Sequence, residues 1–102
     1  LEELLGTKLR ALYQRRKGRD LFDIWYSITQ NDVNVDKIIE AWKLYIKQEG
    51  NAISRKEFLN NMDRKIKDRE FLEDIDGLLR PGISYEIEKS YDLVRSVILE
   101  KI

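Results

Sequence analysis

Apolar residues at Leu1, Leu4, Leu5, Leu9, Leu12 and Tyr13 recur at intervals that gather side chains on one face of an α-helix. The spacing predicts a first helix over residues 1 to 17, with Lys8, Arg15 and Arg16 outside its apolar stripe. Gly18 follows a Lys/Arg-rich turn and reads as the stop of that helix, and Asp20 then stands where the N-cap of a second is wanted. This second helix carries Leu21, Phe22, Ile24, Trp25 and Ile28 as far as the polar break Gln30-Asn31-Asp32. A third places Val35, Ile38, Ile39, Trp42, Tyr45 and Ile46 on one face, with Asp36 near its start and Gly50-Asn51 after its end. Ser54 and Glu57 form a capping box that opens a fourth, with Phe58, Leu59, Met62 and Ile66 facing in. Asp68 is placed to cap a fifth, which presents Phe71, Leu72, Ile75, Leu78 and Leu79 and ends at Pro81-Gly82. The sixth runs from Ser84 to Ile102 on Ile87, Tyr91, Val94, Ile98 and Ile102.

No window sustains the alternation of a strand, and the only proline and most glycines fall at the proposed boundaries. The chain therefore reads as all-α, a compact bundle of about six short helices in one domain spanning residues 1–102. Short connections make consecutive helices antiparallel neighbours. No apolar run approaches the ~20 residues of a membrane helix. The chain opens at Leu1 inside an amphipathic pattern without an initiator Met or signal peptide, as a piece of a longer protein would.

Composition removes much chemistry. Without Cys there is neither a disulfide framework nor a thiolate zinc site, and without His the usual metal ligand and the usual base near neutral pH are gone. Net charge is zero, with 19 basic and 19 acidic residues, which disfavours a free-standing nucleic-acid binder. The average hides a gradient. Lys8, Arg10, Arg15, Arg16, Lys17 and Arg19 follow one another with no acid between Lys8 and Arg19, leaving 13 basic residues against 19 acidic ones elsewhere.

The candidate chemistry lies where this cationic stretch meets Asp20 and Asp23. The two aspartates are three residues apart on one helix face, and Arg19 is placed to pair with Asp23. If the first two helices are antiparallel, Lys8 comes across from the second. A lysine, arginines and a carboxylate converging at a helix N-terminus suit an anionic phosphate. The plainer reading of the same residues is a basic helix end, an N-cap at Asp20 and a surface ion pair. Trp25, Trp42, Tyr45 and Tyr91 lie on apolar stripes and read as core rather than as base-stacking residues.

The stretch from Glu2 through Lys8, Arg15-Arg16-Lys17-Gly18 and Arg19-Asp20-Leu21-Phe22-Asp23 to Trp25 resembles the C-terminal motif of the AbiEii/AbiGii toxin family of nucleotidyltransferases. The resemblance implies a bacterial, cytoplasmic toxin of a toxin–antitoxin or phage abortive-infection system. It also implies a larger protein, whose N-terminal nucleotidyltransferase core holds Mg²⁺ and an NTP and whose helical C-terminal part is this chain. Lys8 matches the motif lysine, expected on a nucleotide phosphate. Asp23 is the best match to the motif aspartate, expected to act as a base or to fix the lysine, with Asp20 as the alternative. Arg10, Arg15, Arg16 and Arg19 are then expected to meet the substrate, the first three on the phosphate backbone of an RNA acceptor, and an antitoxin protein is the expected partner.

Nothing in the chain resembles the Gly-Ser turn and paired-aspartate strand of the family's core. Asp74-Ile75-Asp76 has the letters of a D-x-D, but it falls in a predicted helix, where such side chains point apart, and reads as solvated surface. The chain alone is expected to be inactive and to hold no metal. A rival reading from another class makes it a helical protein-interaction or scaffold module with no catalytic role.

Overall fold

The computed structural model describes residues 1–75 and 85–102. These form α1 (Glu2–Gln14), α2 (Gly18–Gln30), α3 (Val35–Gln48), α4 (Arg55–Lys65), α5 (Arg69–Glu73) and α6 (Ile87–Val97), followed by a 3-10 turn at Leu99–Lys101. No strand occurs among the described residues, and the fold is the all-α bundle that the apolar spacing predicts.

One hydrophobic cluster joins every helix. Leu5, Leu9 and Leu12 of α1 lie at its centre, against Leu21 and Ile24, Ile38 and Trp42, Phe58 and Met62, and Phe71. Val94 closes it from α6, and Leu99 from the turn that follows. The most extensive helix contact is between α1 and α3, which are not consecutive. They run parallel: the Glu2 carboxylate accepts the Asn34 N–H at 3.0 Å where both begin, and Gln14 donates to Glu49 at 2.8 Å where both end. The expectation of antiparallel consecutive neighbours therefore misses the main interface. Gly6 permits it, because a Cβ there would lie 2.8 Å from the Ala41 Cβ.

Several boundaries follow from side-chain chemistry as expected. Ser54 accepts the Glu57 N–H at 3.1 Å while the Glu57 carboxylate accepts the Ser54 N–H at 3.3 Å, completing the capping box. Asp68 caps α5 by accepting the Glu70 N–H at 2.9 Å. α3 ends as expected at Gly50-Asn51, in a Schellman turn where the Asn51 N–H reaches the Ile46 carbonyl and Gly50 takes φ +77°, while its N-cap is Asn34, which the sequence reading did not single out.

Other expectations need correction. α1 stops at Gln14 rather than at residue 17, and Arg15 is extended. Two residues of α4, Lys65 and Asn61, take the last carbonyls of α1, so the helix ends where tertiary contacts cap it. Gly18 does not stop α1; it is the first residue of α2. A Cβ on Gly18 would lie 2.3 Å from the Phe71 carbonyl oxygen, so the glycine serves a close approach to α5. Asp20 is not the N-cap of α2. Lys17 holds that position, and Asp20 lies within the first turn, fully buried. Leu1 and Leu4, counted with the apolar stripe, are 51% and 58% exposed. α6 gives way to the 3-10 turn after Val97, which swings Leu99 into the core. The expected inward positions Leu78 and Leu79, the stop at Pro81-Gly82, and Ser84 lie outside the described residues.

Candidate functional site

The connection Arg15-Arg16-Lys17 turns the chain so that α2 packs against α1. Lys8 sits beside the buried stripe of α1 and reaches across to α2. Its Nζ lies 2.9 Å from Asp23 Oδ2 and 3.8 Å from Asp20 Oδ1. Asp20 has no exposed surface, and its two oxygens accept Nε and a terminal N–H of Arg15 at 2.7 and 2.8 Å. This fork-to-fork pairing raises the Arg15 pKa above its ordinary value, through the hydrogen bonds to Asp20 first and its charge second. The Lys8 side chain is 28% exposed and that of Asp23 42%. The cluster thus has a buried base, the Asp20 carboxylate, which the half-exposed Arg15 holds from one side, and an open mouth, Lys8 with Asp23.

The structure brings Lys8, Asp20, Asp23 and Arg15 together and separates the remaining candidates from them. Arg19 does not pair with Asp23. Its guanidinium forks onto Asp74 at 2.9 and 3.0 Å, and its backbone N–H reaches the same carboxylate at 3.1 Å. Asp74 is therefore not solvated surface: its side chain is 9% exposed, and the Arg19 hydrogen bonds bring its pKa down to about 2. Asp76, the other half of the apparent D-x-D, lies outside the described residues. Arg10 pairs with Glu49. Arg16 reaches Asp68 at 3.1 Å and Glu70 at 3.5 Å. The cationic run is thus largely neutralised by acids from α2, α3 and the α5 region.

Among the aromatics, Trp42 and Tyr91 are core as expected, whereas Trp25 and Tyr45 are only half-buried. Trp25 belongs to a cluster with Phe22, Tyr26 and Tyr85, the last edge-on to Phe22 and Trp25 at 5.1 Å. Burial pushes the Tyr85 phenol up to about 12, and its hydroxyl donates to Ser90 at 2.9 Å.

Lys65 was not a candidate. It is 6% exposed, and its ammonium donates to the carbonyls of Leu12 and of Tyr13, the latter at 2.7 Å. Burial lowers its pKa to about 8 against the pull of Asp20, with Arg64 and Arg16 pushing the same way as burial. The spacing Phe58, Met62, Lys65 puts it on the buried stripe of α4, a signal present in the sequence.

Fold and site define a helical module built around an ion-pair cluster at its first helix junction. No group of three acids able to hold a metal occurs among the described residues. Among those residues, too, no helix is long and apolar enough to cross a membrane. The family model described as the nucleotidyl transferase AbiEii toxin of type IV toxin–antitoxin systems matches residues 1–93, and the chain belongs to that family. The match takes in the whole Lys8, Arg15, Asp20 and Asp23 cluster. Neither a curated protein nor a solved structure gives a significant match.

Proposed function

We propose that this chain is the helical part of a nucleotidyltransferase toxin and that it contributes Lys8 and Asp23 to an NTP-binding cleft completed by an N-terminal nucleotidyltransferase core. The observation that supports this reading is the 2.9 Å contact of Lys8 with Asp23 at the open mouth of the cluster, beside the buried Asp20 carboxylate. In nucleotidyl transfer an acceptor oxygen bonds to the α-phosphorus of the NTP as the bond to the β-phosphate bridging oxygen breaks, and pyrophosphate leaves. Negative charge on the phosphates calls for a fixed cation. Lys8 is that cation. Asp23, the more exposed aspartate, aims the ammonium and is the functional carboxylate, whereas Asp20 is a positioning residue that anchors Arg15 and the base of the cluster.

The carboxylates here do not fit Mg²⁺. Asp20 is saturated by Arg15 and Lys8, and Asp23 is held by Lys8. No step is derived through the ion; in this reading Mg²⁺ belongs to the core. The same reading has a bacterial cytoplasmic toxin acting in phage defence, with an antitoxin as partner and RNA as acceptor. Five of the six residues of the cationic run carry carboxylate partners, so Arg10, Arg15, Arg16 and Arg19 contact RNA only by giving up or sharing those partners.

The interaction-module alternative draws on Leu1, Leu4 and Leu44, which are 51%, 58% and 56% exposed. NTP affinity of the full-length protein separates the two. Lys8→Ala is expected to weaken NTP binding about tenfold or more, the scale of one lost charge-assisted phosphate contact. Affinity unchanged by Lys8→Ala leaves the interaction module as the reading.

A further inference from the structure

A cavity of about 340 Å³ lies between the end of α1 and the end of α4, walled by Arg16, Arg64, Lys65, Asn61, Tyr13 and Asp68. Lys8 and Asp23 are not on its wall, so it is separate from the proposed nucleotide site. Its charge differs from that of most of the cationic run on α1 and α2. Lys8, Arg10, Arg15, Arg16 and Arg19 each have a carboxylate partner, whereas among the described residues neither Arg64 nor Lys65 has one. Asp68 is the one acid on the wall, and it is already engaged by Arg16 and by the Glu70 N–H it caps.

Two polar groups are incompletely used. The Lys65 ammonium has three N–H donors, of which the carbonyls of Leu12 and Tyr13 take two. Asn61 gives its amide N–H to the Tyr13 carbonyl at 3.2 Å, while its buried Oδ1 accepts nothing. A buried acceptor without a donor is costly and rare in native structures. The site therefore offers an exposed guanidinium and an ammonium with one N–H unspent, a combination that suits a phosphate. Capping α1 explains why Lys65 points inward but accounts for neither Arg64 nor the Asn61 oxygen.

We infer that this pocket binds a phosphate group, with Arg64 and Lys65 as its cationic ligands. An anion here relieves the mutual repulsion of Lys65, Arg64 and Arg16. The Lys65 pKa, now about 8 because of burial and those two guanidinium groups, then rises on binding, with Asp20 and Asp68 as the opposing charges that face it.

The test titrates the chain with inorganic phosphate and, separately, with a short single-stranded oligoribonucleotide. Calorimetry gives the affinity, and NMR of the Lys65 side chain gives its titration. The variants are Arg64→Gln and Arg64→Lys, at an exposed site where the fold should persist, with thermal unfolding as the check. Saturable binding that weakens about tenfold in Arg64→Gln and recovers in part in Arg64→Lys, with Lys65 titrating at higher pH when ligand is bound, is the expected result. Tighter binding of the oligoribonucleotide assigns the site to a phosphodiester, and equal affinity assigns it to free phosphate. No saturable binding of either probe, equal affinity in Arg64→Gln, or a Lys65 titration unmoved by ligand overturns the inference.

Discussion

Asp20 is the residue whose environment decides the most. It is fully buried, and its two oxygens are spent on Arg15, with Lys8 as a second cation. Removing one partner of such a pair leaves the other uncompensated, but the Arg15 side chain is half exposed and rehydrates, so the loss is smaller than for a fully buried pair. Asp20→Ala is accordingly expected to cost ~2 kcal/mol in urea unfolding, whereas Lys8→Ala, at the open mouth, is expected to cost under ~1 kcal/mol. Equal costs for the two would remove the distinction between base and mouth. Lys65 makes a second prediction at this scale. Its pKa falls from 10.5 in the unfolded chain to about 8 in the folded one, so the unfolded state binds more protons between those values. Stability should therefore rise with pH across that window. Above pH 10 the half-buried Tyr85 acts oppositely, because the folded chain then retains a proton that the unfolded chain loses. Lys65→Met should flatten the rise between about pH 8 and 10, read from denaturation midpoints across the range.

At the scale of elements, two glycines fix how close the helices approach. A Cβ at Gly18 meets the Phe71 backbone oxygen at 2.3 Å, which only a shift of α2 from α5 can relieve. Alanine is the better helix former by ~1 kcal/mol, yet Gly18→Ala should destabilise by ~1–3 kcal/mol, because overpacking against backbone outweighs propensity. A variant as stable as the wild type contradicts the close approach. Sequence pattern revealed the helices themselves, since each stripe is a local property of the chain. The Ser54, Asp68 and Gly50 boundaries were legible for the same reason: caps and left-handed turns are chosen by residues adjacent in sequence. The end of α1 was not. It is decided by Lys65 and Asn61, whose approach no local pattern encodes. Gly18 misled similarly, because a glycine chosen for proximity to Phe71 looks in sequence like one chosen to end a helix.

For the whole molecule, the candidate site was half legible. That Lys8 faces Asp23 follows from α1 and α2 packing side by side across a short connection, and the motif spacing pointed to it. Which aspartate is open and which buried depends on tertiary packing, as does the neutralisation of the cationic run by Glu49, Asp68 and Asp74 from distant segments. A sequence that concentrates cations in one stretch thus folds so that carboxylates from other segments meet most of that stretch.

In the proposed function the Lys8–Asp23 contact serves nucleotidyl transfer rather than the fold. The most direct measurement is label transfer from each α-labelled NTP to RNA or protein by the full-length protein with Mg²⁺, compared for wild type, Lys8→Ala and Asp23→Asn alongside their unfolding free energies. Each variant is expected to lose about a hundredfold or more of the transfer while its stability changes by under ~1 kcal/mol. Transfer that both folded variants retain within about twofold contradicts it.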